Sequence, residues 1–150
     1  MNSGKTLRVL IVEDELLIAL ELESLLQEEG HEVVGIASNL DQALAQGRDL
    51  SPDLAFVDIH LADGPTGVEV ARHLSTEHGV TVLFMTANSK RIPEDFAGAR
   101  GVIAKPYTER GVREALAYVM SDQSPAPRPR GTMTFIPFNQ GRQEDGSQLA

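Results

Sequence analysis

The stretch Leu7-Arg8-Val9-Leu10-Ile11-Val12-Glu13-Asp14-Glu15 joins a continuous apolar run to an acidic end. A β-branched, apolar run of this length is typical of a strand that is buried on both faces of a sheet. Gly30 then ends a helical pattern whose apolar face consists of Ile18, Leu22, Leu25 and Leu26. The beginning of the chain therefore predicts a buried strand followed by an amphipathic helix, with carboxylates at the junction.

Strand-like and helix-like segments alternate in the same way as far as residue 121. Four further strands are predicted at residues 32–37, 54–57, 80–85 and 101–104. Five strands that alternate with helices predict an α/β fold, in which a doubly wound, five-stranded parallel sheet carries helices on both faces.

Local signals mark where several of the helices begin. Asn39 with Gln42, and Thr66 with Glu69, have the spacing of capping boxes. The last helix presents an apolar face made of Val112, Leu116, Val119 and Met120. Residues 89–100 form the weakest predicted element, because a proline and a glycine within them leave little room for a helix.

Composition limits the classes of function. The 150 residues are 41% apolar and 23% charged, and 13 basic against 22 acidic side chains give a formal charge of −9. This balance argues against binding to nucleic acid or to an anionic membrane surface, since both need a basic face. Cysteine is absent, which excludes disulfides, thiolate metal sites and cysteine nucleophiles. With neither a signal peptide nor a transmembrane stretch in the sequence, we expect a soluble, cytoplasmic chain.

The chain divides into a predicted domain at residues 5–121 and a Pro-rich extension at residues 122–150. The extension holds four of the eight prolines and equal numbers of basic and acidic residues. Closely spaced prolines favour an extended, solvated backbone. Within it, residues 133–138 form an apolar island, which is consistent with a docking motif or with a strand added to a sheet edge.

Chemically active side chains stand at the carboxyl ends of the predicted strands, where open α/β sheets place their sites. These side chains are Glu13, Asp14, Asp58, Thr86 and Lys105. Crowded carboxylates need a cation, and an oxygen-only set suits Mg²⁺. The hydroxyl and the ammonium group would contact phosphoryl oxygens, so the set predicts phosphoryl transfer with Asp58 as the nucleophile.

The motifs Val12-Glu13-Asp14-Glu15, Val57-Asp58-Ile59, Met85-Thr86-Ala87 and Ala104-Lys105-Pro106 stand in the order and positions of a known family. Residues 7–120 resemble a receiver domain of two-component response regulators, and they are similar to the receivers of bacterial general-stress and light-stress regulators. The resemblance implies a flavodoxin-like fold with strand order 2-1-3-4-5.

The resemblance also implies roles for individual residues. Asp58 would accept a phosphoryl group from a histidine kinase or a histidine phosphotransferase. Mg²⁺ would be held by Glu13, Asp14, Asp58 and the backbone carbonyl of His60. Thr86 and Lys105 would contact the phosphoryl group, and a cis peptide before Pro106 would aim the lysine.

Two features depart from the pattern of the family. Val102 stands where the family carries its switch aromatic, and Tyr107 is the nearest aromatic that would either replace it or simply pack on the last helix. The loop that follows Asp58 is one residue longer than in many receivers.

The sequence is compatible with three functions. The first is a stand-alone phosphoacceptor, not an enzyme, that acts as relay, phosphate sink or switch through an unidentified output protein, with pairing into a homodimer left open. The second is a Mg²⁺-dependent aspartyl phosphatase, which His60 disfavours because a second aspartate belongs there. The third is a phosphorylation-independent binding module that uses the extension. The acidic first loop argues against a nucleotide-binding Rossmann domain.

Overall fold

The computed structural model describes residues 6–87, 92–121 and 135–138. Within these residues the strands are β1 Arg8–Val12, β2 Glu32–Ala37, β3 Leu54–Asp58, β4 Thr81–Thr86, β5 Gly101–Ala104 and β6 Phe135–Pro137. The helices are α1 Leu16–Glu28, α2 Leu40–Leu50, α3 Gly67–Glu77 and α4 Glu109–Ser121, and a short 3-10 helix spans Phe96–Gly98.

The strands form one sheet in the order β2-β1-β3-β4-β5-β6. The first five strands are parallel, so the predicted order 2-1-3-4-5 is confirmed. The sixth strand is antiparallel to β5 and comes from the apolar island in the extension. The sheet therefore has one strand more than the five that the sequence pattern predicts.

The core lies on both faces of the sheet, as the apolar strand runs require. Along β1, Leu10 and Val12 join the cluster that includes side chains of α2 and α3. Val9 and Ile11 point the other way, into the cluster that includes side chains of α1 and α4. Because both faces of the sheet are covered, side chains that point to opposite faces in turn are all buried, and β1 is therefore apolar at successive positions.

The helix starts agree with the sequence at α2 but not at α3. The Asn39 side chain accepts a hydrogen bond from the Gln42 N–H at 2.9 Å, and Gln42 Oε1 accepts one from the Ser38 N–H at 2.9 Å. The predicted capping box of Thr66 with Glu69 is wrong, because Thr66 makes no side-chain cap. Its hydroxyl instead donates to Asp63 Oδ1 at 2.6 Å.

The segment predicted to be the weakest element contains the short 3-10 helix in its described part, residues 92–100. Phe96 and Ala97 have positive φ angles of 57° and 50°, which interrupt regular helix geometry. The Asp95 side chain accepts a hydrogen bond from the Ala97 N–H at 3.1 Å. An ion pair between Asp95 and Arg72 ties this segment to α3.

Among the described residues, every helix is too short or too polar to cross a membrane.

Candidate functional site

The acidic side chains predicted to converge do so at the carboxyl ends of β1 and β3. Asp58 is the last residue of β3, Glu13 follows β1 directly, and both are buried, whereas Asp14 is exposed. One carboxylate oxygen from each of these three residues lies within 4.8 Å of the others. The parallel order places β1 next to β3, so two strand ends bring all three carboxylates together.

Lys105 reaches this cluster from the end of β5. Its Nζ lies 2.9 Å from Asp58 Oδ2 and 3.2 Å from Glu13 Oε1. Its backbone N–H donates to the Thr86 carbonyl at 3.0 Å, and the Lys105–Pro106 peptide is cis. When all three carboxylates are ionised, the lysine compensates only one of their charges, so the cluster carries an excess of negative charge.

Burial and the neighbouring charges together change the proton affinity of two groups in the cluster. The pKa of Glu13 is raised to about 7, mainly by burial and secondly by the charge of Asp58, against the opposing effects of the hydrogen bond from the Glu15 N–H and of the charge and hydrogen bond of Lys105. For Lys105, burial lowers the pKa, but the hydrogen bonds and charges of Asp58 and Glu13 outweigh burial and raise it overall. The lysine therefore stays charged, while Glu13 binds a proton more readily than an ordinary carboxylate, and an added cation would compete with that proton.

The loop after β3 is fixed against the rest of the site. The His60 N–H donates to Asp58 Oδ1 at 3.2 Å, and the His60 side chain is exposed. Leu61 and Gly64 exchange two backbone hydrogen bonds, and the Ala62 N–H donates to the Ser38 carbonyl at 3.1 Å. The longer loop is thus closed on itself and tied to the loop before α2.

Gly67 is a residue of the site that sequence analysis missed. A Cβ at this position would lie 2.1 Å from the Asp58 carbonyl oxygen and 2.6 Å from Ile59 Cα. Only glycine allows α3 to begin this close to the end of β3. The signal available in the sequence was a glycine at the start of a helical pattern, where a bulkier residue has the better helix propensity.

Thr86 ends β4, is buried, and pairs in register with Ala104, the residue before Lys105. It therefore lies at the same carboxyl-terminal end of the strands as Asp58, whose register partner is Met85. All the chemically active side chains predicted from the sequence occur at this carboxyl-terminal end of the sheet.

Val102, at the position of the family's switch aromatic, and Tyr107, the nearest aromatic, have distinct structural settings. Val102 is buried in the core cluster on the α2 and α3 side. The Tyr107 hydroxyl donates to the Ile18 carbonyl in α1 at 2.8 Å, and burial, with the nearby charges of Glu21 and Glu13, raises its pKa. Tyr107 thus links the segment just before α4 to α1.

Comparisons with known proteins agree with this geometry. A family model described as the response regulator receiver domain matches residues 9–117. The phyllosphere-induced regulator PhyR of Methylorubrum extorquens is 34% identical over 125 residues, which cover 80% of this chain and 46% of PhyR. The sensory transduction protein LytT of Bacillus subtilis is 34% identical over 113 residues, covering 73% of this chain and 46% of LytT.

Solved structures give the same result. The receiver domain of Erythrobacter litoralis PhyR is 32% identical, covers 85% of this chain and 100% of its own, and superposes with a TM-score of 0.72. PhyR of Brucella abortus is 30% identical, with 77% of this chain and 52% of its own covered, and a TM-score of 0.63. The chain spans about half the length of the curated relatives it matches. The fold, the family match and these relatives show together that the chain belongs to the response regulator receiver domains of two-component signalling, with similarity to receivers of stress regulators.

Proposed function

We propose that the chain accepts a phosphoryl group on Asp58 from a histidine kinase or a histidine phosphotransferase. The observation that carries this proposal is the buried Asp58 carboxylate, which lies 2.9 Å from Lys105 Nζ within a cluster of three carboxylates. In the proposed step an Asp58 oxygen bonds to phosphorus while the phosphorus–nitrogen bond of the phosphohistidine breaks. The imidazole nitrogen keeps the electron pair and takes up a proton.

Mg²⁺ fits the residues that surround Asp58. Glu13, Asp14 and Asp58 supply carboxylate oxygens, the ligand type that Mg²⁺ prefers, and the His60 backbone carbonyl would complete the protein ligands. The pKa of Glu13 is raised first by burial and then by the negative charge of Asp58, and a bound cation would oppose both effects. When bound, Mg²⁺ would neutralise charge on the phosphoryl oxygens.

The other side chains of the site would position and shield the phosphoryl group. Lys105, whose side chain is 17% exposed, would bond to one phosphoryl oxygen through its ammonium group, and Thr86 would offer a neutral hydroxyl to another. The Asp58 side chain is 9% exposed, so few water molecules reach the nucleophile. Phosphoryl transfer needs positioning and charge neutralisation above all, and these residues offer both.

An exposed apolar patch lies next to this site in the sequence. Leu16, Leu17 and Leu20 on α1 are 61%, 77% and 44% exposed, and they follow directly on the acidic residues of the site. Exposed leucines grouped at one helix end are typical of a protein contact. We assign this end of α1 to docking of the phosphodonor. The phosphorylated chain would then either signal through contacts with another protein or act as a phosphate sink.

The first test is phosphorylation in vitro. The protein is mixed with Mg²⁺ and a small phosphodonor such as acetyl phosphate, and the intact mass is measured with and without a chelator. We expect one added phosphoryl group that depends on Mg²⁺ and is lost in Asp58→Asn. Asp41→Asn, at an exposed carboxylate in the first turn of α2 that is not part of the cluster, is the matched control and should retain the adduct. An adduct that persists in Asp58→Asn would contradict the proposal.

A further inference from the structure

The edge of β5 that faces away from β4 is covered by a short segment from much later in the chain. In β6, residues Phe135, Ile136 and Pro137 pair antiparallel with Ile103, Val102 and Gly101. The pairing continues one residue further, where the Phe138 N–H donates to the Arg100 carbonyl at 2.8 Å. The segment Phe135–Phe138, named here the clip, thus makes backbone contacts from Arg100 to Ile103, along the first three of the four residues of β5.

Two aromatic side chains fix the clip on opposite faces of the sheet. Phe135 is buried with Ile103 in the cluster beneath α1 and α4, and its ring lies 5.5 Å from that of Tyr118. Phe138 packs against the opposite cluster, and its ring stacks on Phe96 at 4.1 Å between centroids. Side chains alternate between faces along an extended chain, so two residues that are three positions apart point to opposite faces. The two rings therefore pack against the sheet from both sides.

The receiving edge is shaped for this segment at Gly101. A Cβ there would lie 2.5 Å from the Phe135 ring and 2.9 Å from the Ile136 carbonyl oxygen. Its three nearest neighbours all belong to the clip, so the missing side chain makes room for the clip itself. In a strand interior glycine costs stability, and here it allows close approach of another backbone.

We propose that the β5 edge, with Phe96 on one side and Tyr118 on the other, is a binding site for an extended Phe-x-Pro-Phe peptide, and that the partner that fits it is the clip of a second copy of this chain. The clip occupies this site within its own chain in the structure. All its described contacts are made to residues up to 121, from which residues 122–134 separate it in sequence. The same contacts are therefore available to an identical clip from another molecule, which exchanges reciprocally around a two-fold axis.

Tethering favours the intramolecular arrangement, because a ligand on a short linker has an effective concentration in the millimolar range. The test therefore removes that competition with two full-length variants. Gly101→Val blocks the site and leaves its own clip free. Phe135→Ala/Phe138→Ala weakens the clip and leaves its own site open.

We expect each variant alone to show no association through this site, and an equimolar mixture to form a one-to-one complex by light scattering after gel filtration. A second readout uses a fluorescent peptide with the sequence of residues 133–138. It should bind the Phe135→Ala/Phe138→Ala chain at least about tenfold more tightly than the wild type, in which the site is already filled. Introducing Gly101→Val into the Phe135→Ala/Phe138→Ala chain should abolish binding of the peptide. A peptide with alanine at the exposed position of Ile136 is the matched control and should bind like the original peptide.

Circular dichroism and Mg²⁺-dependent phosphorylation establish that each variant is folded, which keeps failure here distinct from failure of the proposed phosphoacceptor. If the double substitution unfolds the chain, Phe138→Ala alone keeps the buried Phe135 and should give a smaller gain in peptide binding. Folded variants that form no complex and bind no peptide would overturn the proposal, and the clip would then be a fixed part of the fold.

Discussion

His31 shows how one buried side chain couples folding to pH. It stands just before β2, and its Nδ1 accepts a hydrogen bond from the Leu7 N–H at 3.1 Å. Burial lowers the pKa of His31, against a smaller opposing effect of the Glu29 charge. A protonated imidazole has no acceptor nitrogen, so the folded chain disfavours the charged form.

The expected consequence is a loss of stability in acid. Because the unfolded chain binds this proton more readily, the free energy of unfolding should fall as pH decreases from about 7 to about 5. His31→Gln keeps an acceptor but does not titrate, and it should flatten this part of the pH profile. Thermal unfolding at several pH values measures the effect, with the exposed His78→Gln as control. An unchanged slope in His31→Gln would assign the acid sensitivity to other groups.

The residues of the site differ in how far sequence predicts them. Asp58, Lys105 and Thr86 stand at strand ends, and strand ends in a parallel sheet share one edge, so a linear pattern is sufficient to group them. Gly67 and the hydrogen bond from Tyr107 to Ile18 depend on how helices approach the sheet. Such distances arise only from packing, and no spacing along the chain encodes them.

At the scale of elements, α2 and α3 show that a capping residue in the sequence does not always cap its helix. Both are preceded by a residue of the right type, but only Asn39 caps its helix. Thr66 already has helical backbone angles, and its hydroxyl bonds to Asp63. The competing bond within the longer loop overrides the local signal at α3, which is why the sequence prediction is wrong there.

The two helices should therefore respond differently to alanine. Asn39→Ala removes the acceptor of the Gln42 N–H and should lower the free energy of unfolding by about 1 kcal/mol. Thr66→Ala removes no cap and should cost clearly less. Urea denaturation of both variants beside the wild type measures the difference. Equal losses would mean that the threonine contributes as much as a true cap.

Sequence also predicts the remaining elements unevenly. The four parallel strands after β1 and the last helix follow from continuous apolar runs and helical periodicity, which local residues determine. The place of β6 does not follow, because a three-residue strand has too little pattern to identify its neighbour. Its position at β5 depends on Gly101 and on two rings far away in sequence.

At the scale of the whole molecule, stability should decrease from the centre of the sheet to its edge. β3 is buried at every residue and lies between β1 and β4. The clip pairs on one side only and includes the exposed Ile136. Segments with few buried contacts open locally at lower free energy than central strands.

Hydrogen exchange followed by NMR should show this gradient. The Phe138 amide, which donates to the Arg100 carbonyl, should exchange at least about 100-fold faster than the amides of β3. Amides of β5 should become faster in Phe138→Ala, while those of β3 keep their rates. Equal protection of the clip and β3 would mean that the edge unfolds only together with the core.

The ends of the sheet have a consequence for how the protein behaves when crowded. On one side β2 is irregular, since Val33 pairs with Val9 and Gly35 with Leu10, so that Val34 is skipped. On the other side the last strand is three residues long and ends at Pro137, which has no N–H to offer. A short or bulged border is a poor template for strands of neighbouring molecules. We therefore expect the apolar interior strands to be kept out of fibril growth, because the two outer strands of the sheet in the described residues are bulged or short.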